Sequence, residues 1–249
     1  MERLKGKYAL ITGGTSGIGL ETARQFLAQG AHVAITGRNS EALASVQQEL
    51  GSNVIAIKAD SGNLSDLKKL ADELAMQWPG IDIIYANAGD VTHLPLEAWT
   101  EESWDNSISV NLKGPFFLVQ QLRPLLANPA SIIFCGSTSA HIAFPMSSVY
   151  AAGKAGLLSL ARTLSSELKG AGVRVNVLSP GPTETPALTK QGLPPEEQRR
   201  FEDNVRKLVP VGRMGTPWEL AQAAIYLASD ESRFVVGTEL LVDGGVANL

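Results

Sequence analysis

Short apolar runs alternate with helical patterns along this chain, and no other feature narrows its possible folds so far. Apolar runs fall at residues 8–12, 32–36, 54–57, 81–86, 131–135, 173–178 and 239–242. Helical spacing of apolar positions marks residues 21–27, 40–50, 64–78, 100–126, the stretch beginning at Tyr150, and 217–228. Gly51 and the pair Pro79-Gly80 stand where helix stops are expected. Residues 180–209 read as a loop with a helical patch. Strands that alternate with helices imply an α/β fold, a Rossmann-type doubly wound parallel β-sheet flanked by helices on both faces. No linker, repeat or low-complexity stretch divides the chain, so residues 1–249 are expected to form a single domain.

In such sheets ligands bind outside the carboxyl ends of the strands. Six of those ends carry polar or turn residues here: the glycine cluster Gly13-Gly14-Thr15-Ser16-Gly17-Ile18-Gly19, then Arg38, Asp60, Asn87, Ser137, and Pro180-Gly181. A glycine-rich turn between a strand and a helix aims unpaired backbone N–H groups at one spot, and with the helix dipole this makes a phosphate site. Taken alone, such glycines also serve plain tight turns. The spacing is G-x-x-x-G-x-G, which departs from the commoner G-x-G-x-x-G fingerprint. The strand at residues 32–36 completes a βαβ unit and favours the phosphate reading.

Other classes fit less well. The net charge is −4 and no Lys/Arg cluster exceeds a pair, which argues against nucleic acid and against an anionic membrane surface. A lone cysteine, Cys135, excludes an internal disulfide and suits a reducing compartment. Residues 1–7 lack the apolar run of a signal peptide, and no apolar stretch reaches membrane-spanning length. A cytoplasmic location is the expectation, and no metal site is expected.

One constellation carries chemistry. Tyr150 and Lys154 are four residues apart near the start of a helix, and Ser137 precedes Tyr150 by thirteen residues. Positions i and i+4 share a helix face, about 6 Å apart. An ammonium beside a phenol favours the phenolate and brings it toward useful acid–base work at neutral pH. A hydroxyl such as Ser137 is able to hydrogen-bond a substrate oxygen beside it. By itself the pair also reads as a surface contact worth a few tenths of a kcal/mol.

Across essentially its whole length the chain resembles the short-chain dehydrogenase/reductase superfamily. The resemblance rests on residues 12–19, Asn87-Ala88-Gly89, Asn111, Ser137, Tyr150-x-x-x-Lys154 and Pro180-Gly181-Pro182-Thr183. It implies an oxidoreductase that transfers a hydride between a nicotinamide cofactor and a ketone or secondary alcohol. Tyr150 would be the general acid in reduction and general base in oxidation. Lys154 would assist it and hold the nicotinamide ribose. Ser137 would polarise the carbonyl, and Asn111 would anchor a water that relays protons through Lys154. For the cofactor, the resemblance points to Gly13, Thr15, Ser16, Gly17, Ile18 and Gly19 at the phosphates. Asp60 falls by the adenine, Asn87, Ala88 and Gly89 by the ribose, and Thr183 and Thr185 on the nicotinamide side, with Ser61, Pro180 and Gly181 also among the cofactor contacts.

Gly37 occupies the position where the resemblance would place the acidic residue of an NAD-preferring site, and Arg38 follows it. A planar, permanently charged donor suits a 2′-phosphate, so NADP(H) is the expected cofactor, with NAD(H) still accepted. Ser16 stands where many NADP-dependent relatives carry a second basic residue. Residues 184–209 are expected to cover a small-molecule substrate, with His141, Ile142, Phe144, Met146 and Val149 as further lining. That set is mostly apolar. Two alternatives accompany this reading. One is reduction of 3-oxoacyl groups on acyl carrier protein, though residues 125–129 lack the positive charge such a partner calls for. The other is a non-catalytic redox sensor, though both Tyr150 and Lys154 are kept. Apolar helices at residues 112–126 and 150–168, with the segment 239–245, lead to an expected homotetramer, a dimer being the fallback.

Overall fold

In the computed structural model, residues 2–189 and 194–249 are described. Their centre is a seven-stranded, wholly parallel sheet in the order β3-β2-β1-β4-β5-β6-β7. The strands are β1 (Tyr8–Ile11), β2 (His32–Gly37), β3 (Val54–Lys58), β4 (Ile81–Ala86), β5 (Leu126–Cys135), β6 (Val173–Pro180) and β7 (Glu239–Val242). The direction of winding reverses between β1 and β4, so a crevice opens at their carboxyl ends.

Alternating residues of β1 to β6 feed two cores. Leu10, Ala34, Ile84, Ile132 and Val175 meet Leu67 of α3 (Leu64–Gln77), Leu118 of α5 (Gly114–Leu122) and Leu157 of α6 (Ser148–Leu168). Ile11, Ile35, Ile83, Tyr85 and Ile133 turn to the other face. There they pack with Phe26 of α1 (Gly17–Ala28), Leu43 of α2 (Ser40–Leu50) and Leu220 of α9 (Pro217–Ala228). Each large apolar side chain so buried contributes about 1.5–3 kcal/mol, which makes a one-residue slip of any strand prohibitive. The strand ends, and the polar residues on them, are therefore held in fixed register.

Helix starts are well specified. Asn63 accepts from the N–H groups of Ser65 and Asp66, while Thr100 and Ser103 form a capping box at α4 (Glu101–Ile108). Thr216 and Glu219 form another at α9, each cap being worth about 1 kcal/mol. The Arg213 guanidinium, with the Thr216 backbone N–H, holds the Glu219 carboxyl down at about 2. Among the described residues, no helix is long and apolar enough to cross a membrane.

The structure corrects three sequence expectations. The helix expected over residues 100–126 is broken: α4 passes into a π-helical turn, Ser109–Lys113, then α5, then a 3-10 turn at Arg123–Leu125. Pro124 lacks the N–H that another helical turn needs, and β5 begins at Leu126, five residues earlier than the apolar run suggested. Residues 180–209 are more helical than a loop, with α7 at Pro186–Thr189 and α8 at Pro195–Leu208. Acidic residues lead α8, Arg206 and Lys207 close it, and Arg206 pairs with Glu202, so the dipole and i,i+4 pairs support it with little apolar content. Residues 190–193 of the expected 184–209 covering segment lie outside the described residues. His141, one of the expected lining residues, is tied to β7: its Nε2 meets both Glu239 carboxylate oxygens, at 2.8 and 2.7 Å.

Candidate active site

The six strand ends singled out above share one edge of the parallel sheet. The turn after β1 is shaped by what surrounds it. Gly13 has φ +66°, and a Cβ there would lie 2.9 Å from the Ala88 Cα. A Cβ on Gly19 would overlap the Gly13 carbonyl oxygen. Backbone therefore passes backbone here at a separation only glycine permits. The Asn87 Nδ2 donates to the carbonyls of Thr12 (3.0 Å) and Gly13 (3.2 Å), and the Ala88 N–H donates to Thr12 Oγ1 (3.0 Å). These bonds span β1 and β4 at the reversal point and fix the turn over the start of α1. Asn87 thus braces the glycine turn with its own side chain.

Thr185 approaches the same turn, 3.3 Å from where a Gly17 Cβ would stand. Thr183 is buried, bonds Gly181 O (2.9 Å), and bridges to Gly215. The Gly181 N–H donates to Val242 O (3.0 Å), which ties the turn after Pro180 to β7. On the far side, Asp60 Oδ1 accepts from the Gly62 N–H (2.9 Å), and Ser61 lines a small cavity with Thr12, Ala88 and Val110. Arg38 is exposed and forms no ion pair or hydrogen bond among the described residues. A Cβ on neighbouring Gly37 would lie 2.7 Å from Thr15 Cγ2, so a side chain at 37 would require Thr15 to move.

α6 carries Tyr150 and Lys154 one turn apart. Lys154 is 3% exposed, with Nζ 5.6 Å from the centroid of the Tyr150 ring and 2.6 Å from the Cys135 carbonyl oxygen that it bonds. Burying an ammonium costs several kcal/mol unless its donors are satisfied. One of three is satisfied by protein among the described residues, so the remaining donors suit the hydroxyls of a sugar. A Cβ on Gly89 would lie 3.6 Å from Lys154 Nζ and 3.3 Å from Asn111 Oδ1, which brings these three residues together.

Asn111 is fully buried on the π-helical turn. Its Nδ2 donates to Asp90 O (2.8 Å) and Ser107 Oγ (3.3 Å), and its Oδ1 accepts from the Asp90 N–H (3.1 Å). The side chain therefore pins the loop after β4. π-helical turns of this kind are frequent at functional sites. Ser137 caps a 3-10 turn, Thr138–Ala140, where its Oγ accepts from the Ser139 N–H (3.1 Å). That bond uses a lone pair and leaves the Ser137 hydroxyl proton to donate elsewhere.

The glycine turn and the buried Lys154 donors together fit the diphosphate and a ribose of a nicotinamide dinucleotide. Sequence reasoning overlooked His93, Ser147 and Glu239. His93 lies edge-on to the Tyr150 ring, centroids 5.6 Å apart, and its Nδ1 is 2.8 Å from Ser147 Oγ. Nothing periodic marks a loop histidine, so proximity to Tyr150 was the only signal, and it appears only in three dimensions. Glu239 joins β7 to the Ser137 loop through His141 and also accepts from Ser179 Oγ.

Comparison with known proteins accords with this geometry. Residues 13–247 match the family model described as enoyl-(acyl carrier protein) reductase. The oxidoreductase asL5 of Sarocladium schorii is 38% identical, over 100% of this chain and 99% of its own. D-threitol dehydrogenase of Mycolicibacterium smegmatis is 34% identical, over 98% of this chain and 94% of its own. A solved RhlG/NADP active-site complex from Pseudomonas aeruginosa superposes with TM-score 0.92 at 32% identity, covering 99% of this chain and 98% of that one. The chain accordingly belongs to the short-chain dehydrogenase/reductase family, NAD(P)-dependent oxidoreductases acting on alcohol and carbonyl groups.

Proposed function

We propose that this protein reduces ketones, and in reverse oxidises secondary alcohols, with NADP(H) preferred over NAD(H). The observation that carries the reading is the buried Lys154 ammonium against the Tyr150 ring, beside a glycine turn built for phosphate. Gly13, Thr15, Ser16, Gly17, Ile18 and Gly19 hold the diphosphate, with Asp60 and Ser61 toward the adenine. Gly89, with Lys154 Nζ, faces the nicotinamide ribose, and Thr183 and Thr185 close the opposite side. The reduced nicotinamide, when bound, supplies the hydride. Tyr150 Oη gives its proton to the carbonyl oxygen as charge develops there, and the Ser137 hydroxyl donates to the same oxygen. Lys154 stabilises the phenoxide that remains. Asn111 keeps the loop after β4 against Lys154, and through it the Gly89 backbone beside the ribose.

The cofactor preference rests on Arg38, an exposed guanidinium without a protein partner among the described residues, and on the absence of an acidic side chain at Gly37. The NADP held by the related Pseudomonas protein supports it. Arg38→Asp is expected to reverse the preference, lowering kcat/KM for NADPH about tenfold or more while that for NADH holds or rises. A wild-type enzyme that favours NADH would contradict the assignment.

We further propose that the protein assembles as a homotetramer. Phe116, Phe117, Leu158 and Leu160 are only partly buried on α5 and α6, and Phe234 stands fully exposed ahead of β7. Light scattering at micromolar concentration is expected to give a mass four times that of the chain, and a monomer would overturn this.

A further inference from the structure

His93 lies on the loop between β4 and α4, and no step given above uses it. The Leu94 N–H donates to Met146 O (3.0 Å), stitching this loop to the segment that leads into α6. Within that seam His93 Nδ1 is 2.8 Å from Ser147 Oγ. Its ring packs edge-on to Phe144 (centroids 6.0 Å, 66°) and to Tyr150 (5.6 Å, 72°). Ser147 is 1% exposed, so the ring is anchored at one nitrogen to a fixed group. The other nitrogen, Nε2, has no hydrogen-bond partner among the described residues, although the side chain is half-buried.

Burial holds the imidazole below its usual value, while the Asp90 charge opposes this. At neutral pH the ring is therefore neutral and carries one proton. An oriented ring nitrogen beside Tyr150, between apolar neighbours such as Phe144, is placed to discriminate among substrates.

We propose that His93, with Ser147 Oγ donating to Nδ1 and the ring proton on Nε2, is a specificity-determining residue whose Nε2–H donates to an oxygen carried by the substrate on the carbon next to the reacting one. The preferred substrates are then α-hydroxyketones and vicinal diols rather than plain ketones and alcohols. This rests on the carbonyl-reductase reading. A half-buried donor left without its acceptor costs less than a fully buried one, so a discrimination of about tenfold to a hundredfold follows.

The test uses the full-length protein with NADPH and ketones that differ only in an α-hydroxyl versus an α-methyl group, hydroxyacetone and butanone being the smallest pair. Wild type is expected to favour the hydroxyketone in kcat/KM by about tenfold or more. His93→Phe keeps the ring contacts, and should erase that ratio by lowering kcat/KM for the hydroxyketone about tenfold more than for the plain ketone. His93→Gln, which retains a donor, should recover part of the ratio and keeps the test available if the Phe variant folds poorly. Equal losses on both ketones, or a wild type indifferent to the hydroxyl, would overturn the proposal. A wild type that binds NADPH yet reduces neither ketone nor any other contradicts the reductase reading itself, and this proposal with it.

Discussion

Tyr150→Phe is expected to lower kcat by about 10²–10⁴ while leaving the Kd for NADPH within about threefold. The substitution removes one oxygen from a ring whose packing is otherwise preserved: His93 still meets its edge and Lys154 Nζ still lies over it. What disappears is the proton proposed for the carbonyl oxygen. The hydrogen bond proposed from Ser137 to that oxygen would remain, so a residual rate is expected, as electrostatic stabilisation alone would give. Steady-state kinetics with a ketone and a fluorescence titration with NADPH separate the two effects. Near wild-type kcat in the variant would mean that Tyr150 is not the proton donor.

Lys154→Ala is expected to lower kcat comparably and, in addition, to weaken NADPH binding by about tenfold or more. Three consequences follow from one deletion. The cation proposed to stabilise the phenoxide is lost, as are the donors proposed to hold the ribose. The Cys135 carbonyl, bonded by Nζ at 2.6 Å, is also left without that partner, at a cost of about 1–3 kcal/mol in stability. The same titration, with thermal unfolding alongside, checks this. An unchanged Kd for NADPH would show that Lys154 acts on Tyr150 without touching the cofactor. The contrast between the two variants is informative because both residues share one helical turn, yet only one is proposed to hold the cofactor.

Most of this arrangement was legible before any coordinates. The parallel sheet followed from alternating patterns, because strands buried on both faces are continuous apolar runs bounded by glycine, as in residues 8–14 and 32–37. Tyr150 and Lys154 could be paired because helical periodicity fixes which residues share a face. Other features left no such trace. The π-helical turn at Ser109–Lys113 is one extra residue in a helix, and no composition announces it, although it buries Asn111 against Asp90. α8 was hidden for a different reason: its apolar stripe is only Phe201, Val205 and Leu208, and charge pairs supply much of its support. The tie between His141 and Glu239 left no trace in sequence either, since the two lie 98 residues apart. His93 likewise gains meaning only from Tyr150 and Ser147, both more than fifty residues later. Local periodicity carries elements and their faces, whereas contacts between loops on different strand ends are set by the assembled sheet.

The central claim is that this site reduces a carbonyl with the proton of Tyr150 and the hydride of NADPH. It is tested most directly by a single-turnover experiment. Protein loaded with NADPH is mixed with members of a panel of ketones and α-hydroxyketones, and the absorbance of the reduced nicotinamide is followed. The prediction is loss of one NADPH per active site with at least one member of the panel, with the corresponding alcohol recovered, and no comparable loss in Tyr150→Phe. NADPH that binds tightly and stays reduced across the whole panel would contradict the account.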